Sequence, residues 1–320
     1  MINTRLGKQQ PCGLPPVAVL TGPTGIGKTA LAIRLAQELG AHIVNADSLQ
    51  VYRELDIGSA KPTWRERALV PHHLLDVVFP NEDFDAADFY RLGRQILADL
   101  HRRGIPPLVV GGTGLYIRVL LHGICEDGVE DEASRRQLQE ELQTQGLPAL
   151  YERLCRLDPT TAARLHPHDA MRILRALEVI AAGGRPLSDR QQAHRFADSP
   201  YRTLTIALQR PREELYARIE ARVAAMLAQG LVPEVQDLRR RYPPGLKPLQ
   251  SLGYRHVSAY LDGHLTWDAM VSQLSRDTRR YAKRQLTWFR ADPTVQWQDP
   301  SKIEATIALL RNFFRDSPCS

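Results

Sequence analysis

The sequence predicts an α/β protein in which a parallel sheet is flanked by helices and carries an inserted all-helical subdomain. Three observations predict it. Short apolar runs alternate with helical periodicity over the first 121 residues, a Gly-rich loop follows the first run, and strand signals fade between residues 131 and 200. A chain of 320 residues is long enough for such a core with an insertion.

Val17–Thr21 (VAVLT) is an apolar run ending at a Gly-rich turn and reads as the first strand. Ala30–Leu39 follows with helical spacing and stops at Gly40. His42–Ala46 (HIVNA) reads as the second strand, and Phe84–Arg103 as a helix closed by Gly104. Pro107–Val110 (PLVV) is a third buried strand, followed by Gly111-Gly112-Thr113-Gly114 and a helix over Leu115–Leu121. Ser134–Gln145, Leu147–Leu157 and Ala170–Ala182 carry apolar residues three and four apart, as helices do, until Gly183-Gly184-Arg185-Pro186 interrupts. Arg202–Leu208 alternates and is β-branched, which suits a return to the sheet. Further helices are expected at Arg212–Gln229, Val232–Arg241 and Trp267–Phe289. Residues 15–130 and 201–300 therefore form the core, 131–200 the insertion, and 301–320 a C-terminal tail.

No stretch of eighteen apolar residues exists, so no membrane span is expected. Met1–Pro16 is polar and lacks the apolar segment of a secretory signal, so a cytoplasmic protein is expected. Cys12, Cys125, Cys155 and Cys319 have no CxxC spacing and read as isolated reduced thiols. The net charge of +6 is unevenly placed: residues 201–300 hold 16 Lys and Arg against 10 Asp and Glu, whereas the preceding segments balance. That surplus points to a polyanionic partner, and fits an Arg-rich soluble surface equally well.

Gly22, Pro23, Thr24, Gly25, Ile26, Gly27, Lys28 and Thr29 fit G-x-x-x-x-G-K-[ST] in full, between a predicted strand and a predicted helix. The loop turns its N–H groups toward phosphate oxygens, and the helix N-terminus adds partial positive charge. Lys28 supplies a full charge, and the Thr29 hydroxyl is placed for Mg²⁺. The sheet is thus expected to be P-loop NTPase-like, of the nucleotide- or ATP-binding type. Such a loop specifies phosphate, not a reaction. NTPases usually place a Mg²⁺-binding acid after a later strand. Here Pro107–Val110 runs into glycine and threonine, with no Asp or Glu before Glu126.

Asp47 directly follows the second strand, at the edge where α/β sheets bind ligands. A carboxylate there can hold Mg²⁺ through water, act as general base, or cap a following helix.

The residues resemble one family closely, the bacterial tRNA dimethylallyltransferases, also called tRNA isopentenyltransferases. The resemblance rests on GPTGIGKT at 22–29, DSLQVY at 47–52, DIGSAKP at 56–62, HHLLD at 72–76, VVGGTGLY at 109–116, HPHDAMRILRALE at 166–178, LGYR at 252–255 and TRRYAKRQLTWFR at 278–290. These segments run in order over residues 17–290.

The resemblance implies dimethylallyl diphosphate as donor. It implies as acceptor N6 of the adenosine immediately 3′ of the anticodon, in tRNAs reading codons that begin with U. It reassigns the loop from nucleotide to prenyl diphosphate, with Mg²⁺ as cofactor. Lys28, Thr24 and an arginine of the 212–229 helix would hold the diphosphate, Arg218 before Arg222. Asp47 would accept the N6 proton. Ser48, Leu49, Gln50 and Thr113 would contact the acceptor, and Tyr254 would stack or hydrogen-bond. Met171, Arg172, Ile173, Leu174 and Arg175, then Gln250, Ser251, Leu252, Gly253, Tyr254 and Arg255, are implied tRNA contacts. The insertion would clamp the anticodon stem-loop, and the chain would act as a monomer. Arg280, Lys283 and Arg284 sit in a basic stretch interleaved with aromatics, a pattern that binds RNA. Two other enzymes share part of this signature: a P-loop small-molecule kinase and an adenylate isopentenyltransferase.

Overall fold

The structure is a computed structural model and describes residues 13–124, 132–183, 186–189 and 199–316. The chain divides into two units, Met1–Leu121 with Pro200–Ser320, and His122–Ser199.

The first unit is built on a six-stranded parallel sheet. Its strands are β1 (Pro16–Thr21), β2 (His42–Asn45), β3 (His72–His73), β4 (Pro107–Val110), β5 (Arg202–Leu208) and β6 (Gln296–Gln298), in the order β3-β2-β4-β1-β5-β6. β1 pairs with β4 through Ala18↔Leu108 and with β5 through Ala18↔Leu204. Val17–Leu20 and Leu108–Val110 are buried without alternation. A parallel strand covered on both faces requires that, because neither face meets water. The edge strands β3 and β6 are short, which limits the unpaired backbone a second sheet could join.

Helix α1 (Lys28–Leu39) buries Leu31, Ala32, Leu35 and Ala36 on one stripe. Helix α2 (Trp64–Leu69) carries a Thr63–Glu66 capping box. Helix α3 (Ala86–Arg102) is capped by Asp85, whose Oδ1 accepts the N–H groups of Ala87 and Asp88. Helix α4 (Gly114–His122) follows β4.

The second unit holds α5 (Glu132–Leu157), α6 (Pro159–Ala162) and α7 (Ala170–Gly183). α5 breaks at Gly146, where φ is 78°, just before Pro148, so the two helices expected from the sequence meet there in a kink. Leu138, Leu150, Leu154, Ile173, Ala176 and Leu177 form its core. Asp158 is buried and caps α6, its carboxylate accepting from Thr161 and Ser188. Burial alone would raise its pKa; those hydrogen bonds win and hold it below the usual range. Gly184 and Arg185 of the expected interruption lie outside the described residues.

The first unit closes with α8 (Arg212–Ala228), α9 (Leu231–Arg241), α10 (Tyr254–Leu261), α11 (Trp267–Arg290) and α12 (Ile303–Arg315). The last helix corrects the expectation of a C-terminal tail. Ile307 and Leu310 are buried in the sheet's core cluster, and Ile303, Phe313 and Phe314 pack against it. Arg34–Glu304 and Arg311–Glu38 ion pairs flank the contact with α1.

At the carboxyl edge of the sheet the backbone packing is tight. The Gly111 N–H donates to Leu20 O, the Ala46 N–H to Val110 O, and the Thr113 N–H to Ala46 O. A Cβ on Gly111 would lie 2.0 Å from Ala46 O. Gly111→Ala should therefore destabilise the protein by about 2 kcal/mol or more, because neither backbone can yield. A lower guanidinium unfolding midpoint with an unchanged slope checks this; an unaltered midpoint refutes it.

Candidate active site

β1 ends at Thr21 and α1 begins at Lys28, so Gly22–Gly27 must reverse the chain in six residues. Gly27 does so with φ 102°, a left-handed value that an L side chain rarely adopts. The first amides of α1 have no partners within the helix and are available to an anion. The Lys28 ammonium donates to Gly22 O at 2.9 Å and Pro23 O at 3.0 Å, which folds it over the loop. Burial lowers its pKa from 10.5 to about 8; Arg222 pushes the same way, and Asp47 opposes. Ile26 was expected among the diphosphate contacts, but its side chain is fully buried in the sheet's core. Only its backbone can serve the loop.

The loop forms one wall of a cavity of about 580 Å³, a size suited to a small ligand. Thr24, Gly25, Gly27, Lys28 and Thr29 line it, and so do Asp47, Ser48, Leu49 and Gln50 from the far end of β2. Asp47 Oδ1 accepts the Leu49 N–H at 2.9 Å, which sets the direction of the carboxylate. A turn follows it, so the helix-capping alternative falls away. The Gln50 amide donates to Ser59 O and Ala60 O, which brings residues 58–60 into the same wall. Thr113 stands behind Ser48: its Oγ1 accepts the Ser48 N–H at 3.0 Å. Thr113 was expected to touch the acceptor; its hydroxyl meets Ser48, accepting the N–H and donating to Oγ at 3.4 Å.

Five cations line the cavity, Lys28, Arg222, Lys247, Arg255 and Arg284, against the carboxylates of Asp47 and Glu66. Such a wall favours a polyanion. Tyr52, Phe84, Tyr116 and Tyr281 add an aromatic side. Burial raises the Tyr116 and Tyr281 pKa values, so both hydroxyls stay neutral. The two arginines of α8 divide the work differently from expectation. Arg218 is exposed, donates from Nε to Gly25 O at 3.0 Å and braces the outside of the loop. Arg222, one turn on, lines the cavity with Lys28 and Asp47 as its charged neighbours. Of the two, Arg222 is the one that lines the cavity, while Arg218 stays on the loop. Glu214, a possible partner for either, pairs with Arg210.

The implied RNA contacts divide in the same way. Arg280, Lys283 and Arg284 are exposed along α11, and Arg255 is exposed on α10. Ser251, Leu252, Gly253 and Arg255 line the cavity, while Gln250 is exposed with its amide on Pro244 O. Tyr254 cannot stack on a base: it is fully buried, and its hydroxyl donates to Glu234 Oε1 at 2.8 Å. In the helical unit Met171 is 83% exposed and Arg172 is exposed, whereas Ile173 and Leu174 belong to that unit's core. Only the outward residues of this pair of turns can reach a ligand.

Two residues escaped the sequence reading. Glu234 accepts the N–H groups of Asp56, Ile57 and Gly58 and so pins the loop that lines the cavity. Gln285 bonds both the P-loop and Gly112. Its one legible signal is a polar residue on the inward stripe of α11.

Among the described residues no three His, Cys, Asp or Glu side chains gather as a metal cluster. Mg²⁺ seldom needs one, since it shares one or two protein oxygens with substrate phosphates and water. The Thr29 hydroxyl and the Asp47 carboxylate line the same cavity, and that donor set fits such a shared ion.

Comparison with known proteins places this site in a family. The family model described as IPP transferase matches residues 50–292, and the isopentenyl transferase model matches residues 15–73. A tRNA dimethylallyltransferase of Syntrophobacter fumaroxidans is 56% identical over 92% of this chain and 86% of its own length. One of Geobacter metallireducens is 48% identical over 93% of this chain and 97% of its own. Among solved structures, a full-length tRNA isopentenylpyrophosphate transferase from Bacillus halodurans is 37% identical, with TM-score 0.71 over 94% of this chain and 97% of that one. A eukaryotic dimethylallyltransferase acting on tRNA is 28% identical, with TM-score 0.82 over 96% and 81%.

The lowered Lys28 pKa yields a prediction with a definite sign. Below about 8 the side chain is a cation; above that it loses the charge that attracts phosphate. Affinity for inorganic diphosphate should fall as pH rises through 8, approaching about tenfold per unit well above it. In Lys28→Gln that component of the slope should vanish. Calorimetric titration of both proteins from pH 7 to 10 decides it; parallel profiles would refute the assignment.

Proposed function

This chain belongs to the tRNA dimethylallyltransferase family and transfers a dimethylallyl group to tRNA, and from that premise we propose that its acceptor is N6 of the adenosine immediately 3′ of the anticodon, in tRNAs that read codons beginning with U. The proposed donor is dimethylallyl diphosphate, and the products are N6-dimethylallyladenosine and diphosphate. The observation that carries this reading is the joint placement of the P-loop, Arg222 and Asp47 around one cavity, with glycine and threonine in place of an acid after β4.

The reaction needs an activated leaving group, because the N6 lone pair is delocalised into the purine and attacks weakly. As the allylic C–O bond breaks, its electron pair passes to the diphosphate. The P-loop amides, Lys28 and Arg222 stabilise charge where it develops. Mg²⁺, held by Thr29 with the donor's phosphates and water, would neutralise part of that charge. The aromatic side chains of Tyr52, Phe84 and Tyr116 accept the apolar allyl group. As the N6–C bond forms, Asp47 orients the amine and takes its proton. The adenine must leave its stack to reach the cavity, and a single-stranded anticodon loop makes that inexpensive.

Arg255, Arg280, Lys283 and Arg284, with Arg172 and Arg175 of the helical unit, are the proposed phosphate contacts. The supporting observation is that none of these six is buried. No described helix is long and apolar enough to cross a membrane. The chain is proposed to act as a monomer, and the tRNA acceptor supports a cytoplasmic site of action.

Two measurements test the reading. Radiolabelled dimethylallyl diphosphate with unmodified tRNA should label the tRNA without ATP; an obligatory need for ATP with no label points to the kinase instead. Full competition by AMP as acceptor points to adenylate prenylation. Asp47→Ala should lower turnover by about 10²-fold or more with tRNA binding retained; unchanged turnover removes Asp47 from the chemistry. Separately, Lys283→Ala with Arg284→Ala should weaken tRNA binding and flatten its log–log salt dependence by about one per lost phosphate contact. A slope identical to that of the parent protein excludes them as contacts.

A further inference from the structure

Gln285 projects from α11 toward the phosphate loop and is only 6% exposed. Its Oε1 accepts the Thr24 N–H at 2.8 Å, and its Nε2 donates to Gly112 O at 3.0 Å. One partner is an obligate donor and the other an obligate acceptor, so the sense of the amide is fixed. Gly112 has no room for a side chain, since a Cβ there would lie 2.2 Å from Gln285 Nε2. The carboxamide is therefore a built part of the cavity wall.

The position of this hydrogen bond matters because amides and Lys28 are what a P-loop offers to phosphate. An inner phosphate would lie on the first amides of α1. Lys28 reaches the outer end, and its ammonium lies against the carbonyls of Gly22 and Pro23. Thr24 is the next residue, so its N–H is the donor that a longer phosphate chain would approach. That donor is already engaged, and the acceptor engaging it presents lone pairs that repel a phosphate oxygen.

We propose that Gln285 is a specificity-determining residue that limits the site to two phosphates, masking the Thr24 amide against triphosphates. The inference rests on the prenyl-diphosphate reading above and explains how a P-loop could refuse the nucleoside triphosphates abundant around it. It gives α11 a role at the donor as well as a basic outer face.

The test uses inorganic diphosphate and inorganic tripolyphosphate as probes, titrated calorimetrically into the full chain. The parent protein should favour diphosphate by about tenfold or more. Gln285→Ala, and Gln285→Met which keeps the helix packed, should bring the ratio toward unity, with folding checked by melting temperature. An amide NMR measurement on the parent protein needs no variant: saturating diphosphate should shift the Gly27 and Lys28 N–H signals and leave that of Thr24 nearly in place. A parent ratio near one, a preserved ratio in a folded variant, or a Thr24 amide that moves with the others overturns the proposal. Failure of prenyl transfer with the ratio intact overturns only the donor assignment. Normal transfer with a flat ratio overturns only the role of Gln285.

Discussion

The site depends on one backbone approach, the packing of Gly111 against Ala46 where β4 and β2 end side by side. β4 lies between β2 and β1, so its end sets the spacing between the residue after β2 and the loop after β1. A side chain at position 111 would force the strands apart at their carboxyl edge. With glycine there, Ala46 can donate to Val110 and accept from Thr113, and Asp47 leaves the strand toward the P-loop. Thr21 Oγ1 reinforces the same edge by donating to Gly111 O at 2.8 Å. The juxtaposition of a carboxylate and a phosphate cradle follows from sheet order and one missing methyl group.

The opposite wall has no strand to hold it and is organised by side chains. Glu234 of α9 receives three consecutive backbone N–H groups from residues 56–58 and the Tyr254 hydroxyl. Burial and this carboxylate push the Tyr254 pKa well above its ordinary value, so the phenol remains a donor. The buried Lys61 ammonium donates to Tyr52 O, Asp56 and Asp76, and Arg67 joins at Asp76. Burial would raise the Asp76 pKa, yet the Lys61 and Arg67 hydrogen bonds hold it low. A buried lysine is costly unless its donors are all met, and here three acceptors meet them. This explains why an ion as expensive as Lys61 persists outside the cavity lining: it shapes the loop whose residues 58–60 line the cavity.

Much of this was legible in the sequence where local physics dominates. The apolar runs of β1, β4 and β5 announce strands, and GPTGIGKT announces its loop, because both signals are contiguous. β3 and β6 have two and three residues, too few to display a period. The α12 helix carried readable spacing at Ile303, Ile307 and Leu310 but no motif, and so passed as a tail. Tyr254, Ile26 and Ile173 are buried, Leu174 packs on its unit's core, and Arg218 lies outside the cavity lining, all for one cause. Sequence identifies a segment that matters, while which side of that segment faces the ligand is settled by tertiary packing. Arg218 and Arg222 lie one turn apart on the same helix, and only the three-dimensional path of the P-loop separates the brace from the cavity residue.

A P-loop evolved to hold phosphate can serve either phosphoryl transfer or departure of the whole phosphate chain, and the groups around it decide between them. Phosphoryl transfer needs an outer phosphorus open to attack in line. Here β4 runs into glycine and threonine rather than the acid that NTPases place after that strand, and Gln285 engages the Thr24 amide of the loop. Departure of diphosphate needs charge stabilisation on the phosphates and a hydrophobic wall beside the carbon left behind. The cavity offers that pairing: Lys28 and Arg222 beside the loop, with Tyr52, Phe84, Tyr116 and the Asp47 carboxylate in the same lining. On the proposed reading the same cradle is turned from handling the phosphorus to releasing the whole phosphate chain, through residues that lie outside the motif itself.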